Sequence, residues 1–481
     1  MSAQVYYDIL VIGGSPAGQK AAIQGARAGK RVAIIEDEPE GGGACMNGGT
    51  IPSKTLRESA VQLARMKRSA DVFDWRLPPG IEISHLMFRL NHVMHAYGAY
   101  MDDQLKRNGV TQVRGRARFC SERVVETVRS GGTRLSLSAG VVVIATGSRP
   151  RTPGNIPVDH EHILDGDSIL SMNTLPASLT ILGAGVIATE YASIFAHLGV
   201  SVTMIDRTDR PLRFMDAEIV KKFVRSFEQQ GGRYCGQRMI MEVRWDELPQ
   251  VVALLDDGEV IKSDKMLVAL GRQANLDGLC VEAAGLAPTD EGLLAVDEYG
   301  RTAVPHIYAV DDMVGSPALA SRMREQGRRA ICHALEIDSG QSPDVIPLGV
   351  YTIPEMASVG LNEEEAIARD GGALVGRAEF DEVARGQISG IRDGLLKLVA
   401  DARGERLLGV QIVGDGATEL IHVGQMGLLA KCTIDVFVEN AFNFPTLAEA
   451  YRVAALDIVA QRGRRRPSQP QSLEAVASAS G

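Results

Sequence analysis

The chain has 481 residues, of which 45% are hydrophobic and 23% are charged, and its formal net charge is −9. At roughly 150 residues per domain, this length predicts about three domains with the composition of an ordinary globular protein. The net negative charge argues against a surface that binds nucleic acid or an anionic membrane, so we expect neither partner.

The cysteines and histidines do not form a recognisable metal or disulfide pattern. The six cysteines follow no CxxC or zinc-like spacing: Cys45, Cys120, Cys235, Cys280, Cys332 and Cys432. His92 and His95 are three positions apart in a predicted helix, without the nearby carboxylates or thiols of a metal site. We therefore expect no metal, no disulfide framework and a reducing, cytoplasmic location.

The first predicted elements are an apolar strand, a glycine turn, a helix of small residues and a second strand, in "DILVIGGSPAGQKAA" and "RVAIIE". Gly13 suits the tight turn, Ser15 is small enough for a pyrophosphate to approach the backbone, and Gly18 permits close packing of helix on strand. Glu36 ends the second strand, where a carboxylate accepts hydrogen bonds from a ribose. This pattern predicts a βαβ dinucleotide site, although one glycine pattern is also compatible with an ordinary turn.

The loop that follows, "GGGACMNGGTIPSK" at residues 41–54, contains one cysteine where a redox loop would contain two. Cys45 is present, and the position five residues later is Thr50. Without a second thiol at Thr50, Cys45 has no partner in this loop for a disulfide.

A second βαβ pattern follows in "LTILGAGVIATEYASIFAHLGVSVTMID", with Gly183, Gly185 and Ala188 in the turn and Asp206 at the end. Its first glycine and its acid are 23 positions apart, as are Gly13 and Glu36. Two such units at one spacing predict two dinucleotide sites in one chain.

The residues after Asp206 bear on which nucleotide is bound. A carboxylate at this position holds the 2′-hydroxyl of NAD, whereas Arg207 and Arg210 are able to pair with the 2′-phosphate of NADP. The mixture predicts use of both coenzymes; the alternative is that both arginines face solvent.

Two remaining stretches are not predicted to be functional elements. Residues 168–189 lack charged side chains, but Asn173, Pro176 and the glycine turn interrupt them, so we expect no membrane span. Residues 462–481 are basic and then small and polar, which predicts a disordered tail.

Five stretches resemble, in order, the motifs of the two-dinucleotide-domain flavoprotein disulfide reductases. They are "GGGACMNGGTIPSK", "VVVIATGSRP" (141–150), "LVALGRQAN" (267–275), "TAVPHIYAVDDMVG" (302–315) and "FNFPTLAEAY" (442–451). The resemblance implies an α/β fold with two Rossmann-like domains, for FAD and NAD(P), and a C-terminal α+β dimerisation domain. The implied boundaries are 1–150 and 275–345 for the split FAD domain, 151–274 for the NAD(P) domain and 346–461 for the domain that forms a homodimer or higher homo-oligomer.

The same resemblance implies the site residues. Lys54 and Glu190 match an ion pair beside the flavin and, with Cys45, are the candidate catalytic residues. The cofactor-binding set comprises Gly13, Ser15, Gly18, Glu36, Gly43, Cys45, Lys54, Ala117, Thr146, Gly147, Gly183, Gly185, Ala188, Glu190, Asp206, Arg207, Gly271, Asp312 and Ala320. The helix that begins near Leu319 and Ala320 is expected to add the partial positive charge of its N-terminus.

The sequence departs from the family pattern at three places. Thr50 replaces the second redox cysteine, and Phe444 replaces the histidine base, although the neighbouring Glu449 is retained. These two losses belong together, because a base that protonates thiols has no task without a dithiol. The third departure is Asp311, where the family has a glycine before the acid at Asp312.

The double loss, with "TIPSKTLRE" and "FPTLAEAYRVAAL", resembles the transhydrogenase branch of this family. That branch transfers hydride reversibly from NADPH to NAD+ through FAD. The alternatives are a reductase that passes electrons to quinones or a protein, with Phe442 and Phe444 forming an apolar acceptor pocket, and a flavin-binding interaction protein without turnover.

Overall fold

The computed structural model describes residues 4–38, 41–73, 83–128, 132–246, 250–315, 320–340, 344–391 and 393–465. Within these residues the chain divides into two compact units. The first takes in residues up to 212, residues 227–343 and residues 351–353, and the second takes in residues 213–226, 344–350 and 354 onward.

The strands and helices are numbered in chain order. The strands are β1 (Val5–Ile12), β2 (Val32–Glu36), β3 (Thr111–Arg114), β4 (Arg116–Ser121), β5 (Val124–Val128), β6 (Arg134–Ile144), β7 (Ser148–Pro150), β8 (Ile163–Asp165), β9 (Ser178–Leu182), β10 (Ser201–Ile205), β11 (Arg233–Cys235), β12 (Ile240–Asp246), β13 (Gln250–Leu255), β14 (Val260–Ser263), β15 (Lys265–Val268), β16 (Arg272–Ala274), β17 (Ile307–Ala309), β18 (Leu348–Val350), β19 (Met356–Gly360), β20 (Ala373–Glu379), β21 (Leu395–Asp401) and β22 (Leu407–Val413). The helices are α1 (Pro16–Arg27), α2 (Gly43–Asn47), α3 (Thr50–Phe73), α4 (Ile83–Arg107), α5 (Val186–His197), α6 (Ala217–Gln229), α7 (Ala320–Ala334), α8 (Glu363–Asp370), α9 (Ala384–Ser389), α10 (Ala417–Leu429), α11 (Asp435–Glu439) and α12 (Glu449–Arg465).

The first sheet of the first unit has the order β3-β2-β1-β6-β5-β4, with β17 paired to β6. Strands β3, β2, β1, β6 and β17 are parallel, and β4, β5 and β6 form an antiparallel meander. Strand β1 is apolar along its inner length because both of its faces are covered. Leu10 and Ile12 belong to one core cluster, and Ile9 and Val11 belong to the cluster that includes residues of α1 and α7.

The second sheet of this unit is inserted between β6 and β17 in the chain. Its five strands, β11-β10-β9-β15-β8, are all parallel. The antiparallel sheet β12-β13-β14 shares a core with it. Strands β7 and β16 pair in a two-stranded ribbon at the two ends of the insertion. Both predicted βαβ units are therefore present, as β1-α1-β2 and β9-α5-β10.

The second unit is built on the antiparallel sheet β18-β19-β22-β21-β20. Residues of α10, α11 and α12 share its main core, in which Tyr451 is fully buried. The predicted fold class, with two Rossmann-like domains and a C-terminal α+β domain, agrees with these sheets and helices.

The last helix differs from the sequence prediction at its end. Helix α12 continues to Arg465, so residues 462–465, which we assigned to a disordered tail, are helical. Tertiary contacts explain the difference, because the Arg462 guanidinium donates to Asp435 at 3.0 Å and to the Gly404 carbonyl at 2.7 Å. The rest of the predicted tail, residues 466–481, lies outside the described residues.

Residues 168–189 contribute a 3-10 turn, strand β9 and the start of α5. In the part of the chain that the structure describes, no helix is both long enough and apolar enough to cross a bilayer.

A buried lysine in the second unit forms ion pairs with three carboxylates. The Lys397 side chain is 2% exposed, and its Nζ lies 2.9 Å from Asp216, 3.0 Å from Glu218 and 2.7 Å from Glu363. Burial by itself lowers the pKa of Lys397, but the hydrogen bonds to these carboxylates outweigh it, so that the pKa is raised and the side chain stays charged. The lysine thereby fixes residues before and within α6 against β21 and the start of α8.

We expect Lys397→Met to destabilise the protein by about 3 kcal/mol, because it removes the ammonium that pairs with Asp216, whose side chain is 4% exposed. Lys222→Met is the matched control, since its ion pair with Glu379 is half-exposed and should be worth less than about 1 kcal/mol. Urea unfolding of both variants measures the difference. Equal midpoints for the two variants would contradict the role assigned to Lys397.

Candidate functional site

The turn after β1 is tight because it passes through Gly13. Gly13 has φ +103°, and a Cβ there would lie 2.2 Å from the Ala145 carbonyl oxygen. Ser15 caps α1, its hydroxyl accepting from the Gly18 N–H at 3.2 Å, and Pro16 is the first residue of the helix. The N-terminus of α1 therefore opens beside a turn without bulky side chains, which is the geometry that favours an anion.

Glu36, at the end of β2, is held in place by backbone groups. Its Oε2 accepts from the Gly14 N–H at 2.7 Å, and its Oε1 accepts from Asp37 and Glu38 at 2.9 and 3.1 Å. Burial raises the pKa of Glu36, and these N–H groups offset only part of the effect. A carboxylate positioned in this way suits the hydroxyls of a ribose.

The second glycine turn repeats this arrangement. Gly183 has φ +105°, and a Cβ there would lie 2.5 Å from the Ala269 carbonyl oxygen. Gly185 precedes α5 and has open space at its Cβ position, while Ala188 is fully buried in the helix. The Oδ1 atom of Asp206 accepts from the Thr208 N–H and hydroxyl at 2.8 and 2.6 Å. The neighbouring Arg207 is exposed.

Cys45 lies in α2, and Thr50 begins α3. Burial raises the pKa of the Cys45 thiol, and a hydrogen bond with the Thr50 side chain offsets this only in part. The thiol thus stays protonated at neutral pH, with a hydroxyl where a redox loop would have a second sulfur. All six cysteines of the chain are free.

Lys54 on α3 and Glu190 on α5 form an ion pair. The Lys54 Nζ lies 2.6 Å from the Glu190 Oε2, with side-chain exposures of 25% and 5%. The other carboxylate oxygen of Glu190 accepts from the Tyr351 N–H at 2.9 Å, and the Lys54 ammonium lies 5.0 Å from the Tyr351 ring centroid. The predicted pair is therefore brought together, with an aromatic ring beside its cation.

Asp312 presents an unsatisfied acceptor. Its Oδ2 accepts from the Ser148 hydroxyl, and its Oδ1 is buried without a hydrogen-bond partner. Arg272 donates to the Ser148 hydroxyl and carbonyl at 2.8 and 2.7 Å, which fixes that hydroxyl toward Asp312. A buried carboxylate oxygen without a partner fits the hydroxyl group of a bound cofactor.

The other predicted cofactor-binding residues lie in different parts of the first unit. Gly43 begins α2 and lies against Ser15, since a Cβ on it would be 3.5 Å from the Ser15 Cα. The Thr146 hydroxyl and the Gly147 carbonyl bond the backbone of Asn275. The remaining three lie apart from these contacts: Gly271 in open space before β16, Ala117 buried in the core on β4, and Ala320 at the start of α7. Leu319 lies outside the described residues.

Ser148, Arg272 and Tyr351 are residues that the sequence reasoning missed. Ser148 and Arg272 stand inside two of the quoted motifs, but they are 124 positions apart. Their contact depends on the pairing of β7 with β16. Tyr351 adjoins β18 and carried no motif signal.

The C-terminal positions are described within the second unit. Phe444 is 70% exposed, whereas Phe442 packs on the core, with its ring 6.4 Å from that of Tyr451. Glu449 accepts from the Thr446 N–H at 3.4 Å. Of the two residues proposed to form an apolar acceptor pocket, Phe442 thus packs in the core of the second unit.

Among the described residues, His, Cys, Asp and Glu side chains do not gather in a group that could hold a metal ion. His92 and His95 lie on α4, as predicted, outside any such group.

Two family models match the chain. The pyridine nucleotide-disulphide oxidoreductase model covers residues 7–327, and the dimerisation-domain model of the same group covers residues 346–455. A protein of Mycobacterium bovis named soluble pyridine nucleotide transhydrogenase is 38% identical over 94% of this chain and 97% of its own length. A protein of the same name from Hahella chejuensis is 40% identical over 95% of this chain and 98% of its own.

Solved structures are similar over the same span. LpdA from Mycobacterium tuberculosis has a TM-score of 0.86 and 26% identity, covering 94% of this chain and 99% of its own. The flavoprotein disulfide reductase RclA from Escherichia coli, in a Cu(II) complex, has a TM-score of 0.84 and 25% identity with the same coverage. On these matches, the chain belongs to the pyridine nucleotide-disulphide oxidoreductase family.

Proposed function

We propose that this protein is an FAD-dependent transhydrogenase that transfers hydride reversibly between NADPH and NAD+ without a redox disulfide. The relatives at 38% and 40% identity carry the name soluble pyridine nucleotide transhydrogenase. The observation that carries the proposal is the contact of Cys45 with Thr50, because a protonated thiol bound to a hydroxyl offers electrons no route from the flavin to a disulfide.

The residues fit FAD at the first glycine turn and a nicotinamide nucleotide at the second. For FAD we assign Gly13, Ser15, Gly18, Glu36, Gly43, Cys45, Lys54, Thr146, Gly147 and Asp312, and, on the family resemblance alone, Ala117 and Ala320. For NAD(H) and NADP(H) we assign Gly183, Gly185, Ala188, Glu190, Asp206, Arg207 and Gly271. When bound, FAD supplies the chemistry that accepts a hydride from one nicotinamide and returns it to another.

Lys54 and Glu190 are assigned the electrostatic part of the reaction. Lys54 supplies a fixed positive charge in a poorly hydrated place, which stabilises negative charge that develops nearby. Glu190 fixes the position of that ammonium and is fixed in turn by the Tyr351 N–H. Cys45 is assigned a buried contact and no redox step.

The proposal includes the domain boundaries and the assembly. Residues 1–150 and 275–345 form the FAD domain, residues 151–274 the NAD(P) domain and residues 346–461 the part that forms a homodimer. The dimerisation-domain match over residues 346–455 supports that assembly. A cytoplasmic location accords with the six free cysteines, which suit a reducing compartment.

The alternative function is that of a reductase that passes electrons from the flavin to quinones or to a protein. It relied on Phe442 and Phe444 together, and the packing of Phe442 on Tyr451 leaves Phe444 alone as an exposed apolar residue. The structure therefore favours nicotinamide exchange over this alternative.

The function is tested by mixing the protein anaerobically with NADPH and an NAD+ analogue whose reduced form absorbs at a distinct wavelength. We expect the wild-type protein and Cys45→Ser to reduce the analogue at rates within about tenfold of each other, because the thiol takes no part in the reaction. A reductive titration should consume two electrons per FAD in both.

Thr50→Cys is the positive control, since it restores a second thiol beside Cys45 and should raise the uptake to four electrons per FAD. The proposal would be wrong if Cys45→Ser abolished turnover or the wild-type protein consumed four electrons. Reduction of a quinone without reduction of the analogue would support the alternative function.

Arg207 should determine how strongly NADPH is bound. We expect Arg207→Ala to raise the KM for NADPH by about tenfold and to leave the KM for NADH nearly unchanged, because only NADPH carries the 2′-phosphate. Arg244→Ala, an exposed arginine of the same domain, controls for the loss of one positive charge. Equal effects of Arg207→Ala on both coenzymes would show that Arg207 does not contact the phosphate.

A further inference from the structure

Asp311 has a backbone conformation that belongs to glycine. Its φ is +84° and its ψ is −165°, a region that residues with a Cβ rarely enter. Its side chain is nevertheless buried, and the residue is 5% exposed. The carboxylate accepts from the Asp312 N–H at 2.9 Å, and the backbone N–H of Asp311 faces the Gln326 amide oxygen at 3.4 Å. A strained backbone and a buried acid at one residue indicate a function other than packing.

The Asp311 carboxyl reaches the N-terminus of α1. It makes a side-chain hydrogen bond with Ser15, the cap of that helix, and its Oδ2 lies 3.8 Å from the position of a Cβ on Gly147. Both residues belong to the turns assigned to FAD. The acid therefore lies where the phosphates of the cofactor are expected, since phosphates bind at such helix termini.

The charged and titratable groups that act on Asp311 come from several elements. Asp312 is the neighbouring acid on its own turn, Arg272 is the cation on β16, and the Cys45 thiol lies on α2. Ser15 before α1 and Gln326 on α7 contribute neutral hydrogen-bonding groups. Arg272 is the cation with the largest effect on Asp311, and its guanidinium is engaged by Ser148 and lies near Asp167. Arg324 on α7 and Lys54 on α3 act on the neighbouring Cys45 thiol.

A carboxylate and a pyrophosphate repel each other strongly in a buried place, because little water screens their charges. A protonated carboxyl removes the repulsion and is able to donate a hydrogen bond to an anion. One bound proton thus converts the Asp311 side chain from an obstacle to phosphate into a donor.

We propose that Asp311 must be protonated for FAD to bind, so that loading of the cofactor takes up one proton from solvent and weakens as pH rises. This inference rests on the FAD site of the proposed function. It adds a coupling between FAD binding and protonation, which a glycine at this position, as in the family pattern, has no side chain to provide. Burial raises the pKa of Asp311 to about 6, although the hydrogen bond with Ser15 opposes the effect. In the protein without FAD, the Asp311 carboxyl is therefore mostly ionised at pH 7.5. The bound state holds one more proton than the free state, and affinity therefore falls with increasing pH.

The test is titration calorimetry of FAD into the full chain stripped of cofactor, in buffers with different enthalpies of ionisation. At pH 7.5 we expect uptake of close to one proton per FAD by the wild-type protein. We also expect the dissociation constant to rise by about tenfold per pH unit above pH 6. Asp311→Asn should lose this additional uptake and the associated pH dependence. Asp311→Gly should lose both as well and should bind FAD more tightly at pH 8, and it should fold because glycine suits a φ of +84°.

Asp167→Asn is the matched control. Burial also raises the pKa of Asp167, but its side chain lies beside Arg272 and Gly48. Asp167→Asn should keep the proton uptake. Any proton that Glu36 takes up on FAD binding is the same in all variants and cancels in the comparison. The inference is overturned if Asp311→Asn takes up as many protons as the wild-type protein, or if the wild-type protein takes up none. Failure of FAD to bind any variant at any pH would instead overturn the proposed function.

Discussion

The ion pair of Lys54 with Glu190 joins the two dinucleotide-binding folds of the first unit. Its partners lie 136 positions apart, on α3 and α5, and the distance between their charged atoms is 2.6 Å. A carboxylate that is 5% exposed needs a counter-charge, because desolvation of a single ion costs several kcal/mol. The pairing therefore constrains the two helices to approach each other and holds the Lys54 ammonium beside the Tyr351 ring.

Three acids surround the proposed FAD site, and each is stabilised differently. Glu36 is held by three backbone N–H groups, whereas Asp312 has one oxygen on Ser148 and one without a partner. Asp311 combines burial with a conformation that costs about 1–3 kcal/mol for a residue with a side chain. Strain of this size persists because β17, α7 and the first glycine turn fix the residue from several sides. Such a cost at a cofactor site is typical of function rather than of stability.

The redox loop shows how the loss of one group changes the chemistry of its neighbour. In a dithiol loop, a partner sulfur and a base make a thiolate available. Here the Thr50 hydroxyl bonds Cys45 and burial raises the pKa of its thiol, so the sulfur stays protonated. The exposed Phe444 at the base position is consistent with that change, since a protonated thiol without a disulfide needs no acid or base.

The sequence by itself determined the two βαβ units, because the glycines, the apolar strands and the terminal acids are local features with a fixed spacing. The same residues appear in the structure at the turns before α1 and α5, with Gly13 and Gly183 in nearly the same conformation. Asp311 was recognised as a departure from a glycine pattern, but its burial and its contact with Ser15 were not predictable. Those depend on the pairing of β17 with β6, which brings a distant turn to α1.

Only the tertiary structure decided the contacts between residues far apart in the chain. Ser148 and Arg272 meet because β7 pairs with β16, and Asp312 joins them because β17 pairs with β6. Their sequence separations carry no periodic signal. Residues 462–465 were assigned to a polar tail because they lack an apolar pattern, yet they are helical, since Arg462 is bound to Asp435 and the Gly404 carbonyl. Local propensity determines which structure an isolated segment favours. Hydrogen bonds between distant residues and the burial of side chains exist only in the folded chain, so a local pattern does not predict them.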